Sequence, residues 1–193
     1  MMLSMPNCRF IFLVATSLFT SNVWASDWQY AGFIKSGDVE AHQFFDSEGV
    51  SRVSPDIVRV WVKAVRVRVF DRYFKSHRKL IVEKAARRVA NNYVPRFVTL
   101  GTVNAKYEPT QLKDVAVDIT TYEVAANESD IQASTKLYFE IDCSGQRIKL
   151  LQSIAYSDRG VIQSPGSKPS AEYQFIAPDS NGQWLSQLVC PSR

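Results

Sequence analysis

Few side chains in this 193-residue chain are of a type that does chemistry, and their spacing is the first thing to weigh. There are two histidines, His42 and His77, and three cysteines, Cys8, Cys143 and Cys190. A metal site or a nucleophilic site needs such residues in register, as ligands one helical turn apart or as a nucleophile beside a base. Neither histidine has a histidine or cysteine at i+3 or i+4. His42 falls in an extended segment and His77 in a basic run, so both are expected to be structural. No Gly-rich phosphate loop, GxSxG elbow or HExxH occurs. Acidic pairs such as Glu40 and Asp46 are scattered. The expectation is therefore no catalytic residue, no metal-ligand set, no cofactor and no enzyme.

Charge is patterned where chemistry is not. Nine cations, Arg66, Arg68, Arg72, Lys75, Arg78, Lys79, Lys84, Arg87 and Arg88, lie within 23 residues against only Asp71 and Glu83, a local net charge of +7. The whole chain carries +4, so the remainder is net acidic. Phe70, Tyr73 and Phe74 interleave with the basic residues. A patch of this kind could hold a polyanion or an acidic partner, such as a sulfated glycan, an acidic protein, lipopolysaccharide or an anionic headgroup. A solvated helix face is the equally weighted alternative.

The first 25 residues form a separate compositional block. Arg9 is their single charge, followed by an apolar run from Phe10 that ends before the polar pair Ser26 and Asp27. A basic region, a short apolar stretch and small residues before the cut are the marks of a secretory signal peptide. The run is shorter than the roughly 20 residues a membrane span needs. Cleavage is expected between Ala25 and Ser26, leaving a domain over residues 26–193. Cys8 precedes the apolar run, so no lipidation cysteine follows it. Its removal leaves Cys143 and Cys190, which in an oxidising compartment point to one disulfide. Free thiols or a metal site are the weaker readings, because no histidine sits near either cysteine. Such a bridge would close a loop of nearly fifty residues, for which loop entropy gives roughly 4 kcal/mol.

The elements that must carry these groups follow from periodicity. Period-two alternation marks strands near Trp28 to Ile34, at 41–45, and over 57–70, the longest run. There Val58, Val60, Val62 and Ala64 share one face. The phase then flips to Val65, Val67 and Val69, which predicts a β-bulge near 64–65, or a strand break. Between 79 and 92 the period becomes helical, with Val82, Ala85, Ala86, Val89 and Tyr93 as the apolar stripe and Lys84, Arg87 and Arg88 opposite. Residues 101–112 read as a loop, Val115, Val117 and Ile119 as a strand, and 125–134 as a loop. A hairpin turns at Ser144 and Gly145, with Leu137, Phe139, Ile141 and Cys143 on one arm and Ile148, Leu150, Ile154 and Tyr156 on the other. A short strand at Val161 and Ile162 follows. Ser180 and Gln183 have capping-box spacing ahead of a short helix through Trp184, Leu185, Leu188 and Val189, ending at Cys190. The fold class predicted is α+β: one domain, an antiparallel sheet with a packed amphipathic helix and a short disulfide-linked C-terminal helix.

Several stretches taken together resemble a known family. They are the Trp28 strand; Phe44, Phe45 and Asp46 followed by Arg59, Val60, Trp61, Val62 and Lys63; and Tyr138 to Cys143 with Tyr156 to Ile162. Ile176 to Ser180 and Leu188, Val189 and Cys190 complete the order. The pattern resembles the surface-adhesin protein E-like family of small exported Gram-negative proteins. That resemblance implies a compact antiparallel sheet with helix packed on it and a disulfide between the matched cysteines. It also implies binding of host extracellular-matrix proteins such as vitronectin and laminin, which the name-giving member binds. The expected function is an exported, non-enzymatic binding protein of the periplasm or outer surface. Its expected partner is a host matrix protein, a sulfated glycan or a cell-envelope component. Neither nucleic acid nor a membrane span in the mature form is expected, and homodimerisation fits the same reading. The alternative is a periplasmic assembly-associated protein that docks through the basic helix.

Overall fold

Alternation of apolar and polar residues produces a sheet, and a long stripe of period 3.6 produces the helix laid on it. A computed structural model of the chain describes residues 26–100, 108–128, 135–157, 160–164, 169–170 and 172–190. The leader expected at residues 1–25 lies outside them. Strand β1 is Trp28–Ser36, β2 Val39–Asp46, β3 Ser51–Arg52 and β4 Ile57–Arg66. Helix α1, Val67–Ala90, follows without a connecting residue, and a 3-10 turn forms at Arg96–Thr99. Helix α2 is Pro109–Asn127. Strands β5, Thr135–Asp142, and β6, Arg147–Tyr156, make the expected hairpin. Short strands β7, Ile162–Ser164, and β8, Gln174–Phe175, precede helix α3, Asn181–Val189. All pairings are antiparallel in the order β1-β2-β4-β5-β6-β7, with β3 on β4 and β8 on β6. The class is the predicted one, a single α+β domain.

Four expectations are corrected. Residues 57–70 are not one bulged strand, and the alternative, a break, is what is found: β4 pairs with β2 in unbroken register as far as Arg66 with Ala41, and the helix begins at the next residue. The apparent phase flip has a different cause, since Val62, Lys63, Ala64 and Val65 are all buried. Both faces of the strand are covered there, and alternation carries no information where both faces are dry. Register shifts lie instead in β1 between Tyr30 and Gly32, in β5 between Tyr138 and Phe139 where it pairs β6, and in β6 between Ala155 and Tyr156 where it pairs β7. Gly32 has φ +137°, and a Cβ there would stand 2.8 Å from the Trp184 ring, so only glycine lets α3 pack this closely.

The basic helix begins at Val67 rather than near Lys79, and that changes which face is inside. Its buried residues are Phe70, Ile81 and Ala85, while Val82 is 45% exposed. Two further aromatic rings, on Tyr73 and Phe74, pack partly against the core. The stripe Val82, Ala85, Ala86 and Val89 is out of phase because the anchoring aromatics Phe74 and Phe70 lie about two and three turns before Val82. Residues 109–127 are helical, not a loop and a strand. Their Val, Ile and Thr content favours strands, but Glu108 and Gln111 form a capping box around Pro109 in the first turn. Local start signals and the stripe Leu112, Val115, Ile119, Glu123 and Ala126 outweigh propensity there. Residues 125–127 therefore close the helix instead of opening a loop, and residues 129–134 lie outside the described set.

One aromatic cluster joins the layers. Tyr30 of β1 meets Phe44 of β2, Phe97 of the 3-10 turn and Tyr122 of α2 at ring distances of 5.7, 5.1 and 5.7 Å. His42 lies among Tyr122, Phe70 and Phe33 at 4.7, 4.9 and 5.5 Å. At the far end Cys143 bonds Cys190, with Cα atoms 5.8 Å apart and a sequence separation of 47. The bridge ties the exit of β5 to the end of α3. Ser180 caps that helix by accepting the Gln183 N–H at 3.3 Å.

Candidate partner-binding surface

Helix α1 buries one side and presents the rest to solvent, so the nine basic residues are sorted by angle around its axis. Arg68, Arg72, Lys75 and Lys79 recur at i, i+4, i+7 and i+11, opposite the side that buries Phe70, Ile81 and Ala85, and all four are exposed. Arg78 and Arg87 flank this row on either side and are exposed as well. The remaining three lie apart from this row. Lys84 bonds Glu128 at 2.6 Å. Arg88 is half-buried with its guanidinium 5.2 Å from the Tyr93 ring centre. Arg66 ends β4, beside a groove of about 410 Å³ at the start of the helix that Arg68, Asp38, Glu40 and Asp71 also line. The structure thus brings four of the nine into one line and disperses the others. The aromatic residues that interleave in sequence do not interleave in space, since Phe70 is buried and Tyr73 and Phe74 are half-buried.

Beneath the sheet-facing side lie two ionisable groups that the sequence did not mark. Glu123 of α2 is fully buried. One carboxylate oxygen accepts the Tyr30 N–H at 3.0 Å and the other accepts the Tyr93 hydroxyl at 2.7 Å. Burial pushes its pKa up to about 7, against those two hydrogen bonds and the Arg88 charge. Lys63 of β4 is 4% exposed and donates to the carbonyl oxygen of Ala126 near the end of α2. Burial pulls its pKa down to about 7, Lys136 adds to the fall and Asp46 opposes it. Its ammonium also stands 4.5 Å from the Trp28 ring centre, which favours the charged form. Sequence alternation placed Lys63 on an outward face. Only the position of α2, which the sequence did not reveal, turns that face inward.

Both histidines have structural surroundings. His42 is buried in the aromatic cluster, and burial lowers its pKa while Asp71 opposes the shift. His77 stacks on Tyr73 at 4.3 Å. At the sheet's other end, Arg147 and the Gly145 N–H hold Asp142 at about 2, well below the usual carboxylate range. These groups support the β5–β6 turn beside the disulfide. Among the described residues no three His, Cys, Asp or Glu side chains group to hold a metal ion. No described helix is long and apolar enough to cross a membrane.

Comparison with curated proteins and with solved structures found no match. Residues 102–191, which hold α2, β5 to β8, α3 and the disulfide, match the family model of surface-adhesin protein E. The match covers just under half of the 193-residue chain, and over those residues the chain is similar to that surface-adhesin family.

Proposed function

We propose that the protein is an exported, non-enzymatic adhesin that displays helix α1 to an acidic partner. The observation that carries this reading is the family match over residues 102–191. The exposed cations of α1 supply the contact surface, and the Cys143–Cys190 bridge suits an oxidising compartment. Export would use residues 1–25 as a signal peptide cleaved between Ala25 and Ser26, and the partner would be a host matrix protein or a sulfated glycan. A second reading has support of its own: α1 lies wholly outside the family match, so its charge could serve docking on another cell-envelope component in the periplasm. Protease treatment of intact cells separates the two. Loss of the protein under conditions that spare a periplasmic marker supports the adhesin. Full protection until the outer membrane is opened refutes surface display and favours the envelope partner.

A further inference from the structure

We infer that the outer row of α1 is a binding site for a linear sulfated polysaccharide, a deepening that rests on the surface-display reading above. The row consists of Arg68, Arg72, Lys75 and Lys79. At 1.5 Å of rise per residue their axial spacings are about 6, 4.5 and 6 Å, and the row is about 16 Å long. It lies on the side of the helix opposite the buried residues, so it is a ridge and not a pocket. A ridge one side chain wide fits a chain whose anions repeat along a line. Among the described residues Arg72, Lys75 and Lys79 form no ion pair with a carboxylate. The nearest acidic positions on the helix are Asp71, at one flank of the row, and Glu83, four residues beyond its end.

Two observations favour a sulfated polysaccharide over the other polyanions. Single-stranded nucleic acid is held by aromatic platforms between the cations, and here the interleaved aromatics face the core, with Phe70 only 2% exposed. A lipid surface is held by an amphipathic helix that lays a continuous apolar face into it, yet Phe70, Ile81 and Ala85 of α1 are buried in the protein, and its exposed apolar residues Leu80 and Val82 lie on opposite flanks of the basic row and form no such face. What the row offers is cations alone, at a spacing of about one helical turn.

The test uses the full disulfide-bonded chain and heparin as the probe. Wild type should bind heparin with a salt dependence that reports about three to four released counter-ions. The triple variant Arg72→Gln, Lys75→Gln, Lys79→Gln should bind about tenfold more weakly with a slope shallower by about two. A control triple of equal charge change, Arg78→Gln, Lys84→Gln, Arg87→Gln, should lose no more than about threefold. Circular dichroism checks that each variant is folded, and the pair Arg72→Gln, Lys75→Gln serves if the triple is not. Equal losses in the two triples, unchanged binding in the row variant, or preference for single-stranded DNA over heparin would each overturn the site. Failure to bind heparin by a protein that protease still removes from intact cells would sink this site and leave the adhesin reading standing. Heparin binding by a protein protected within the periplasm would do the reverse.

Discussion

Replacing Glu123 by glutamine should remove a specific pH dependence from the stability of this domain. The carboxyl is ordinarily half-protonated near pH 4.5, and in the folded protein burial moves that point to about 7. Between these values the native state holds a proton that the unfolded chain has lost. Stability therefore falls as pH rises through the window. The whole displacement corresponds to about 3 kcal/mol, of which about 2 kcal/mol falls between pH 5 and pH 7. Glutamine keeps the shape: its carbonyl can still accept the Tyr30 N–H, and its amide can donate to Tyr93 if that hydroxyl turns to accept. Burial of His42 acts with the opposite sign, because a base whose pKa burial lowers gains native stability as pH rises. The measured quantity must therefore be the difference between wild type and variant at each pH. Urea unfolding at pH 5 and pH 7 supplies it. At about 2 kcal/mol per molar urea the difference in midpoints should change by about 1 M between the two conditions. A wild-type-minus-variant difference that is flat with pH would refute the reasoning, and would mean that water or a cation reaches the carboxylate.

Two further outcomes follow from the same structure. Lys63 is displaced the other way, from its usual 10.5 to about 7, so between pH 7 and 9 the unfolded chain binds the extra proton and stability rises with pH, by up to about 2 kcal/mol. Lys63→Met should flatten that rise in urea midpoints, and a rise that persists in the variant would assign it to another group. Cys143→Ser together with Cys190→Ser opens a loop of 47 residues and should cost about 4 kcal/mol, read as an earlier urea midpoint that added reductant does not lower further. A double variant as stable as the oxidised wild type would show that the core holds α3 in place without the bridge.

What the sequence revealed and what it hid divide along a physical line. The hairpin at Ser144 and Gly145, the cap at Ser180 and the Cys143–Cys190 bridge were legible because each depends on local chemistry or on cysteine count. The start of α1 was not, because Val65, Val67 and Val69 alternate with arginines in a strand's rhythm. There the chain passes from strand to helix within one residue, and what fixes the helical phase is the packing of Phe70 against Tyr122, 52 residues away. Helix α2 was hidden by its β-branched residues. A strand at that place in the sequence gives neither the inward turn of Lys63 nor the burial of Glu123. The basic row itself was half visible: all nine cations were named, but their sorting by angle required the helix to be extended back to Val67.

The family match begins at residue 102, so α2 falls within it while α1 and the strands β1 to β4 fall outside. The two helices are nevertheless joined by direct contacts. Tyr122 packs edge-on against Phe70 at 5.4 Å, and Lys84 bonds Glu128 just past the end of α2. Tyr93, shortly after α1, bonds the buried Glu123. Every one of these contacts uses the inner or lateral sides of α1 and none uses the outer row. Substitution along Arg72, Lys75 and Lys79 can therefore change what the protein binds without touching the groups that hold the helix to the sheet. If the row is the proposed binding site, its specificity can vary while these contacts stay fixed.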